Sequence, residues 1–416
     1  MIIRPDKLSV SAPPPDLSQG GLSLRLLSLA PHRAGFFLGG GVLLLALLWW
    51  LLELAGRTFG MSVSQLPPSF LHGQLMLGGF FPLFMLGFIY TAGPKWLGVA
   101  PPATPAWLAA IVPYALGSVG LLLATRLPIL WAGASVLQAL AWLWACLIWA
   151  GRIRASHAPD RKHAMLILAA FALGVTALAL YAFVAITAQW QWLAHSETLL
   201  LWGMLLPVFL VVCHRMLPFF SANVLQPYVS WRPDWLLYMM VGGVWLHGLL
   251  SVLAVATYPV DAALAALLLY TSWRWQLRKS FRVPLLAMQH IAFLWAGLGM
   301  ALLVLETGPI VLPLSGSGHA GLHALALGFM LSMLLAFVTR VTLGHSGRAL
   351  VAGRLTWTLF CLLQTLTLLR LLGEWLPVLR MPLLLLAAGG IVLTLALWSA
   401  RHLPMYLQPR PDGKEG

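Results

Sequence analysis

An all-α, polytopic membrane bundle of about twelve transmembrane helices is the fold class this sequence predicts, and three observations predict it. First, 60% of the 416 residues are apolar and only 9% are charged, against about 25% charged in ordinary soluble domains. So few charges cannot cover a water-soluble globule, and so apolar a chain cannot remain disordered. The mean hydropathy of +0.88 agrees. Second, apolar runs of the roughly 20 residues needed to cross a bilayer recur along the chain and leave no block for a soluble domain. Third, the runs exceed the roughly 10 residues of a barrel strand and do not alternate strictly, which favours helix over strand.

The elements follow in order. Residues 1–34 carry Pro and Ser and read as a flexible cytoplasmic segment. The first run, 35–54, is too long for a signal-peptide core and no small-residue cleavage pattern follows it, so it is a retained helix. Pro67-Pro68 introduces the run 70–91, and Pro101-Pro102 introduces 105–124. The run 128–150 follows, and Pro159-Asp160 separates it from 163–188. The sixth run, 197–219, ends before Pro227 and Arg232-Pro233-Asp234, which are turn signals ahead of 235–256. The remaining runs are 259–277, 284–305, 319–343, 354–373 and 380–400, and 401–416 is a polar cytoplasmic tail. The membrane domain is therefore 35–400.

Charge fixes an orientation. The formal net charge is +14, from 25 Lys+Arg against 11 Asp+Glu. Twelve spans put both termini on one face, and that face holds 21 of the 25 basic residues, among them Arg4, Lys7 and Lys414. The exceptions are Arg57, Arg126, Arg370 and Arg380. This bias places both termini in the cytoplasm. The basic excess is thus explained by topology, and the partner is a lipid bilayer rather than nucleic acid. The acids Glu53, Glu197, Asp261, Glu306 and Glu374 fall at the outer ends of helices, and none lies at mid-membrane. That counts against a proton-coupled transporter, which commonly relays through an intramembrane carboxylate. Cys146, Cys213 and Cys361 sit in different apolar runs without a CxxC pattern and read as small buried hydrophobes.

Histidine is the chemical signal, with twelve in so apolar a chain. Neutral imidazole is the commonest metal ligand and an axial ligand of haem. Topology puts His72, His195, His319 and His323 near the outer face, and His163, His214, His290 and His345 near the inner face. His319 and His323 are four apart and share one helix face, about 40° apart. His72 begins the second span at similar depth, where packing can bring it across to His323. The competing reading is four polar residues at the aqueous boundary. His163 and His214 adjoin Lys162 and Arg215 and read as boundary residues. His247 falls near the middle of the seventh run, where a hydrogen bond to a neighbouring helix carbonyl competes with a ligand role. His32, His157 and His402 receive no role. The glycine-punctuated turn Gly344-His345-Ser346-Gly347-Arg348, with Arg340 a turn earlier, reads either as an anion or propionate site or as a capped helix end. The tryptophans, including Trp49-Trp50, read as interfacial belts.

Several of these segments resemble the NnrS family. The strongest likeness is His323-Ala324-Leu325, then Arg340, then Gly344 to Arg348. Arg215 with Pro218-Phe219-Phe220 resembles the family's Arg-x-x-Pro-Phe-Phe motif, and His290 with Trp295 its His-x4-Trp helix. The region from His72 through Thr91 to Gly98 is similar to its second helix and following loop. The resemblance implies a haem- and copper-containing protein of the bacterial cytoplasmic (inner) membrane, linked to nitric oxide, nitrosative stress and denitrification. It implies metal ligation by His72, His323, His290 and His345, with His319 a further candidate, and Arg340, Arg348 and Arg215 as cofactor-binding residues. His72 and His323 would form an outer pair, and His290 and His345 an inner one. In one place the chain departs from the family pattern: His72-Gly73-Gln74-Leu75 stands where the family has His-x-His-Glu. The departure leaves three alternatives: one metal site is lost, is altered, or is completed by His319 or His195. The alternative function is a metal-free transporter or channel for a small solute, with helix breaks at Pro82, Pro207 or Gly242-Gly243 and His247 as a contact. A sensory or assembly role through a partner protein is the third.

Overall fold

The computed structural model describes residues 22–309 and 318–411; Arg4, Lys7 and Lys414 lie outside them. Each of the twelve predicted runs is helical, and there is no strand among the described residues. The first five spans are α1 (Pro31–Thr58), a broken second span of α2 (Pro68–Gly78) and α3 (Phe81–Leu97), α4 (Thr104–Ala124), α5 (Leu130–Arg154) and α6 (Lys162–Thr187). The sixth runs through α7 (Leu193–Thr198), a π-helical stretch Leu199–Leu205 and α8 (Leu206–Ala222). Then come α9 (Asp234–Val252), α10 (Tyr258–Arg274), the short α11 (Leu277–Ser280) and α12 (Pro284–Thr307). The tenth span is α13 (Ala320–His323), a π-helical stretch Ala324–Leu331 and α14 (Ser332–His345), and α15 (Arg354–Trp375) and α16 (Arg380–His402) complete the set. Eleven helices among the described residues are long and apolar enough to cross a membrane. The remaining one, α10, has 17 residues and is about 25 Å long at 1.5 Å per residue, short of a hydrocarbon core of about 30 Å.

Sequence explains the ends. Pro31, Pro68 and Pro284 open α1, α2 and α12, where a missing N–H costs nothing. Gly98 closes α3 in the left-handed region, with φ 64°, and donates its N–H to Pro94. Residues of the predicted segment 1–34 that are described do not stay apart from the bundle. Leu24–Leu29 form a 3-10 turn, and the Ser23 N–H donates to the Leu407 carbonyl at 2.9 Å. The helix beyond α16 likewise continues as a 3-10 turn, Leu403–Leu407, whose Tyr406 is buried.

Sequential neighbours pair as antiparallel helices: α4 with α5, α5 with α6, and α15 with α16. α1 packs on α3 and also on α16, so the first and last spans meet. Where α1 crosses α3 the backbones touch. A Cβ built at Gly35 would lie 2.6 Å from the Leu83 carbonyl oxygen and 2.7 Å from Gly87 Cα. Small residues at helix crossings allow this approach in lipid, where van der Waals contact drives association.

Three spans are irregular, and their freed backbone groups are satisfied by side chains, as the bilayer demands. Pro82 has no N–H for the Gly78 carbonyl four residues back. Tyr114 Oη donates to that carbonyl at 2.7 Å and Gln138 Nε2 at 3.2 Å, while Ser118 Oγ serves the Gly79 carbonyl at 2.8 Å. Pro207 removes the α-helical partner of the Gly203 carbonyl in the same way, and Trp245 Nε1 donates to it at 3.0 Å. In the tenth span Ser332 Oγ donates to the Leu327 carbonyl at 3.0 Å. The expected break at Gly242-Gly243 is absent: α9 is continuous. Gly243 instead admits Leu264 of α10, whose Cδ2 would be 2.6 Å from an added Cβ.

Candidate functional site

The three irregular spans converge with α1, α15 and α16 on one cavity of about 780 Å3, at the end of the bundle remote from the described termini. That lies within the roughly 300–1,000 Å3 of small-molecule sites. His72, His319 and His323 all border it, so the residues expected to share the outer depth are brought together. The π-helical stretches sit at its wall, where such stretches are frequently functional.

His72 stands one turn into α2. Its ring stacks on Trp50 of α1, with centroids 3.8 Å apart, and the Arg57 guanidinium lies 5.0 Å above the same indole. His72 Nδ1 is buried and has no hydrogen-bond partner. His323 directly precedes the π-helical stretch. Its Nδ1 lies 2.8 Å from the His319 carbonyl, which can only accept, so Nδ1 carries the proton and Nε2 the lone pair. Metal-ligating histidines are commonly fixed by this kind of outer hydrogen bond. Arg370 Nη2 is 3.3 Å from both ring nitrogens, a distance pair that puts the guanidinium over the ring face. Arg370 Nη1 is held by Glu374 at 2.5 Å. Glu306 accepts the Ala320 and Gly321 N–H groups at 2.6 and 3.2 Å and so anchors the start of α13. His319 is exposed, 6.5 Å from the His323 ring.

Sequence reasoning missed Trp50, which stacks on His72 rather than serving only as an interfacial anchor. It also missed Arg57, Arg370 and Arg380, which border the cavity with Glu197 and Glu374. A signal for them was available: these three are among the four basic residues on the wrong side of the charge bias. Gln74, where the family pattern has its second histidine, is turned away from the cavity. It is buried, donates to Ser135 Oγ at 3.1 Å and accepts from Trp131 Nε1 at 2.9 Å. His195 does not border the cavity; its Nδ1 lies 3.3 Å from the Gln191 carbonyl in the 3-10 turn just before α7.

The expected inner pair is not brought together. His290 Nε2 meets Ser221 Oγ at 2.9 Å, deep between α8 and α12. His345 instead lies against His32, which sequence reasoning passed over, with ring centroids 4.5 Å apart. Thr91 Oγ1 accepts the His32 backbone N–H at 3.1 Å, and Arg410 Nη1 donates to the His345 carbonyl at 3.0 Å. The three expected cofactor arginines are engaged elsewhere than the outer cavity. Arg340 lies 3.9 Å over the Phe220 ring, Arg215 4.9 Å over Trp96, and Arg348 Nη2 donates to Gln408 at 2.9 Å.

His163 stands in the first turn of α6, at the expected helix boundary, and its Nε2 lies 3.0 Å from His214 Nδ1 in a buried contact that the sequence did not disclose. One other expectation is corrected. His247 is not at mid-helix: α9 ends at Val252, so His247 is near its outer end. Its partner is no carbonyl but Asp261 of α10, with Nδ1 to Oδ1 at 2.5 Å, and Trp202 stacks on its ring at 3.5 Å.

Among the described residues no three His, Cys, Asp or Glu side chains gather as a metal-holding group. The outer cavity does offer two imidazoles, one with a defined lone pair and one with an unpartnered nitrogen, under arginines and within largely apolar walls. Such a lining would suit a large, anionic cofactor held by one or two imidazoles better than an ion that needs three protein ligands. A family model described as NnrS protein matches residues 26–410 of this chain. No curated protein matches it.

Proposed function

Because the chain belongs to the NnrS protein family, we propose that it is a haem-binding integral membrane protein of the bacterial cytoplasmic membrane, serving the nitric-oxide response and protection from nitrosative stress in denitrifying cells. The observation that carries the reading is that His72 and His323, from spans far apart in sequence, border one cavity of cofactor size. In this reading those two imidazoles hold the iron. Trp50 and the His319 carbonyl fix their rings, and Arg57, Arg370 and Arg380 neutralise the propionates. Bound haem would supply an iron to which nitric oxide can coordinate, and the polarity beside it would be set by Arg370 and Glu374. Copper is the second cofactor of this reading, with exposed His319 a further imidazole at the cavity. Both termini face the cytoplasm, and the cavity faces the periplasm, as the basic residues segregate.

The test is an optical spectrum and metal analysis of protein purified from a haem- and copper-replete bacterial host. The expected result is a Soret band in wild type, its loss in His72→Ala and His323→Ala, and its retention in His290→Ala, all with unchanged circular dichroism. No Soret band in wild type would remove haem. A band unaffected by both outer substitutions would remove this site.

One observation favours a second reading, passage of a small solute. The broken second span and both π-helical spans line the cavity, as interrupted helices line transporter sites. Solute-specific uptake into vesicles by metal-free protein would establish it.

A further inference from the structure

A second, smaller cavity of about 60 Å3 lies deeper in the bundle. In this measure one water needs about 10–15 Å3, so there is room for more than one small molecule. All of its lining residues are apolar, and they include Phe84, Val208, Phe209, Met333 and Phe337. Only Phe88, Phe209 and Val212 of the lining are half-buried; the rest are buried. Among the described residues that line it, the Cys213 thiol is the sole side-chain hydrogen-bond donor and a weak one, short of the roughly 2–4 polar partners a buried water takes, and apolar cavities of larger size stay dry and take up benzene or xenon.

Its place in the fold is informative. Four of the spans that wall the outer cavity, the first, second, sixth and tenth, also wall this chamber further along their length. Phe80 and Phe81 border the outer cavity, while Phe84, Met85 and Phe88 of the same helix border the chamber. Leu327 and Leu331 are followed by Met333, Leu334 and Phe337, and Trp202 is followed by Val208 and Phe209, in the same order. In α1 the order is Trp50 at the outer cavity, Phe36 at the chamber and His32 at the inner end. Phe81 of the outer wall meets Phe209 of the chamber edge-on at 5.6 Å, and Phe36 lies 6.1 Å from the His32 ring.

We propose that this chamber is a binding site for a small, uncharged, apolar molecule of diatomic size, the class that includes nitric oxide and dioxygen, placed next to the outer cavity behind the Phe81–Phe209 contact. Dispersion contacts supply the attraction, and a lining whose one side-chain hydrogen-bond donor is the weak Cys213 thiol disfavours ions and water. The proposal needs no metal, so it stands or falls separately from the haem reading.

Xenon is the probe, because it reports apolar voids directly. Crystals of the whole protein pressurised with xenon should show an anomalous peak in contact with Phe84, Phe209 and Met333. The peak should be lost in Val208→Phe and in Met333→Phe, each of which fills the void from a different helix. If one variant does not fold, the other still reads the site. A chamber without xenon in wild type, at a pressure that fills other sites or the lipid belt, would overturn the proposal, as would a peak that survives both substitutions.

Discussion

Replacing His247 by Leu should destabilise this protein far more than loss of an ordinary interhelical hydrogen bond. Such bonds average about 0.6 kcal/mol in membrane proteins and reach roughly 1.7 kcal/mol. His247 serves a carboxyl with no alternative partner. Asp261 is 0% exposed, Oδ1 is 2.5 Å from His247 Nδ1, and Oδ2 has no hydrogen-bond partner. Removing one member of a buried pair costs about 3–5 kcal/mol, because the other is left without compensation. The stack on Trp202 at 3.5 Å adds a further ~0.5–1.5 kcal/mol. Together these set the cost of His247→Leu at about 3.5–6.5 kcal/mol. Asp261→Leu leaves a buried imidazole, which can shed its charge, short of one bond and should cost about 1–3 kcal/mol. In the double variant neither group is stranded, so its cost should fall below the sum of the singles by at least about 2 kcal/mol. Reversible unfolding in mixed micelles, followed by tryptophan fluorescence, measures all four corners of the cycle. A cost for His247→Leu under roughly 1.7 kcal/mol, or additive single costs, would refute the reasoning.

Two further outcomes test the broken span and the altered motif. Tyr114→Phe should cost only about 1 kcal/mol in the same assay, because Gln138 still reaches the Gly78 carbonyl at 3.2 Å; a loss of several kcal/mol would mean that Tyr114 alone sustains the break. Gln74→His should add no metal to the purified protein and should lower its stability by about 1–3 kcal/mol, since position 74 is bonded to Ser135 and Trp131 and turned from the cavity. A gain of bound copper or haem in that variant would show that the side chain can reach the site.

The spans were legible because the bilayer leaves the chain little choice. With backbone groups unsatisfiable in lipid, about 20 apolar residues in a row have helix as their outcome. Boundaries slipped where interfacial residues extend a helix past its apolar run, as Pro31–Thr58 exceeds 35–54. The seventh helix errs the other way. The apolar run continues to residue 256, but α9 stops at Val252 and Ala254 takes a positive φ of 54°. That difference moved His247 from the centre toward the end, and changed its partner. Breaks at Pro82 and Pro207 were visible as prolines, while the π-helical stretches carry no residue signature. Gly242-Gly243 looked like a third break, yet packing against Leu264 accounts for Gly243.

The site was legible in composition and blind in direction. Depth along a span can be counted from sequence, and depth put His72, His195, His319 and His323 at one level, of which all but His195 border the cavity. It also grouped His290 with His345, and there it failed, because two residues at one depth meet only if their helix faces do. His290 faces α8 and Ser221, whereas His345 at the end of α14 faces the start of α1 and His32. Motif identity has the same weakness: Gln74 differs from the family pattern at a position that does not face the cavity. Charge supplied the better guide. A basic residue on the side where topology disfavours it must be retained by something local. Three of the four such arginines border the outer cavity, and Arg370 shares it with Glu374 and the ring face of His323. The exceptions to the positive-inside bias therefore mark the cavity more sharply than the histidines do, since an imidazole at a membrane boundary is inexpensive and an arginine 13% exposed within the bundle is not.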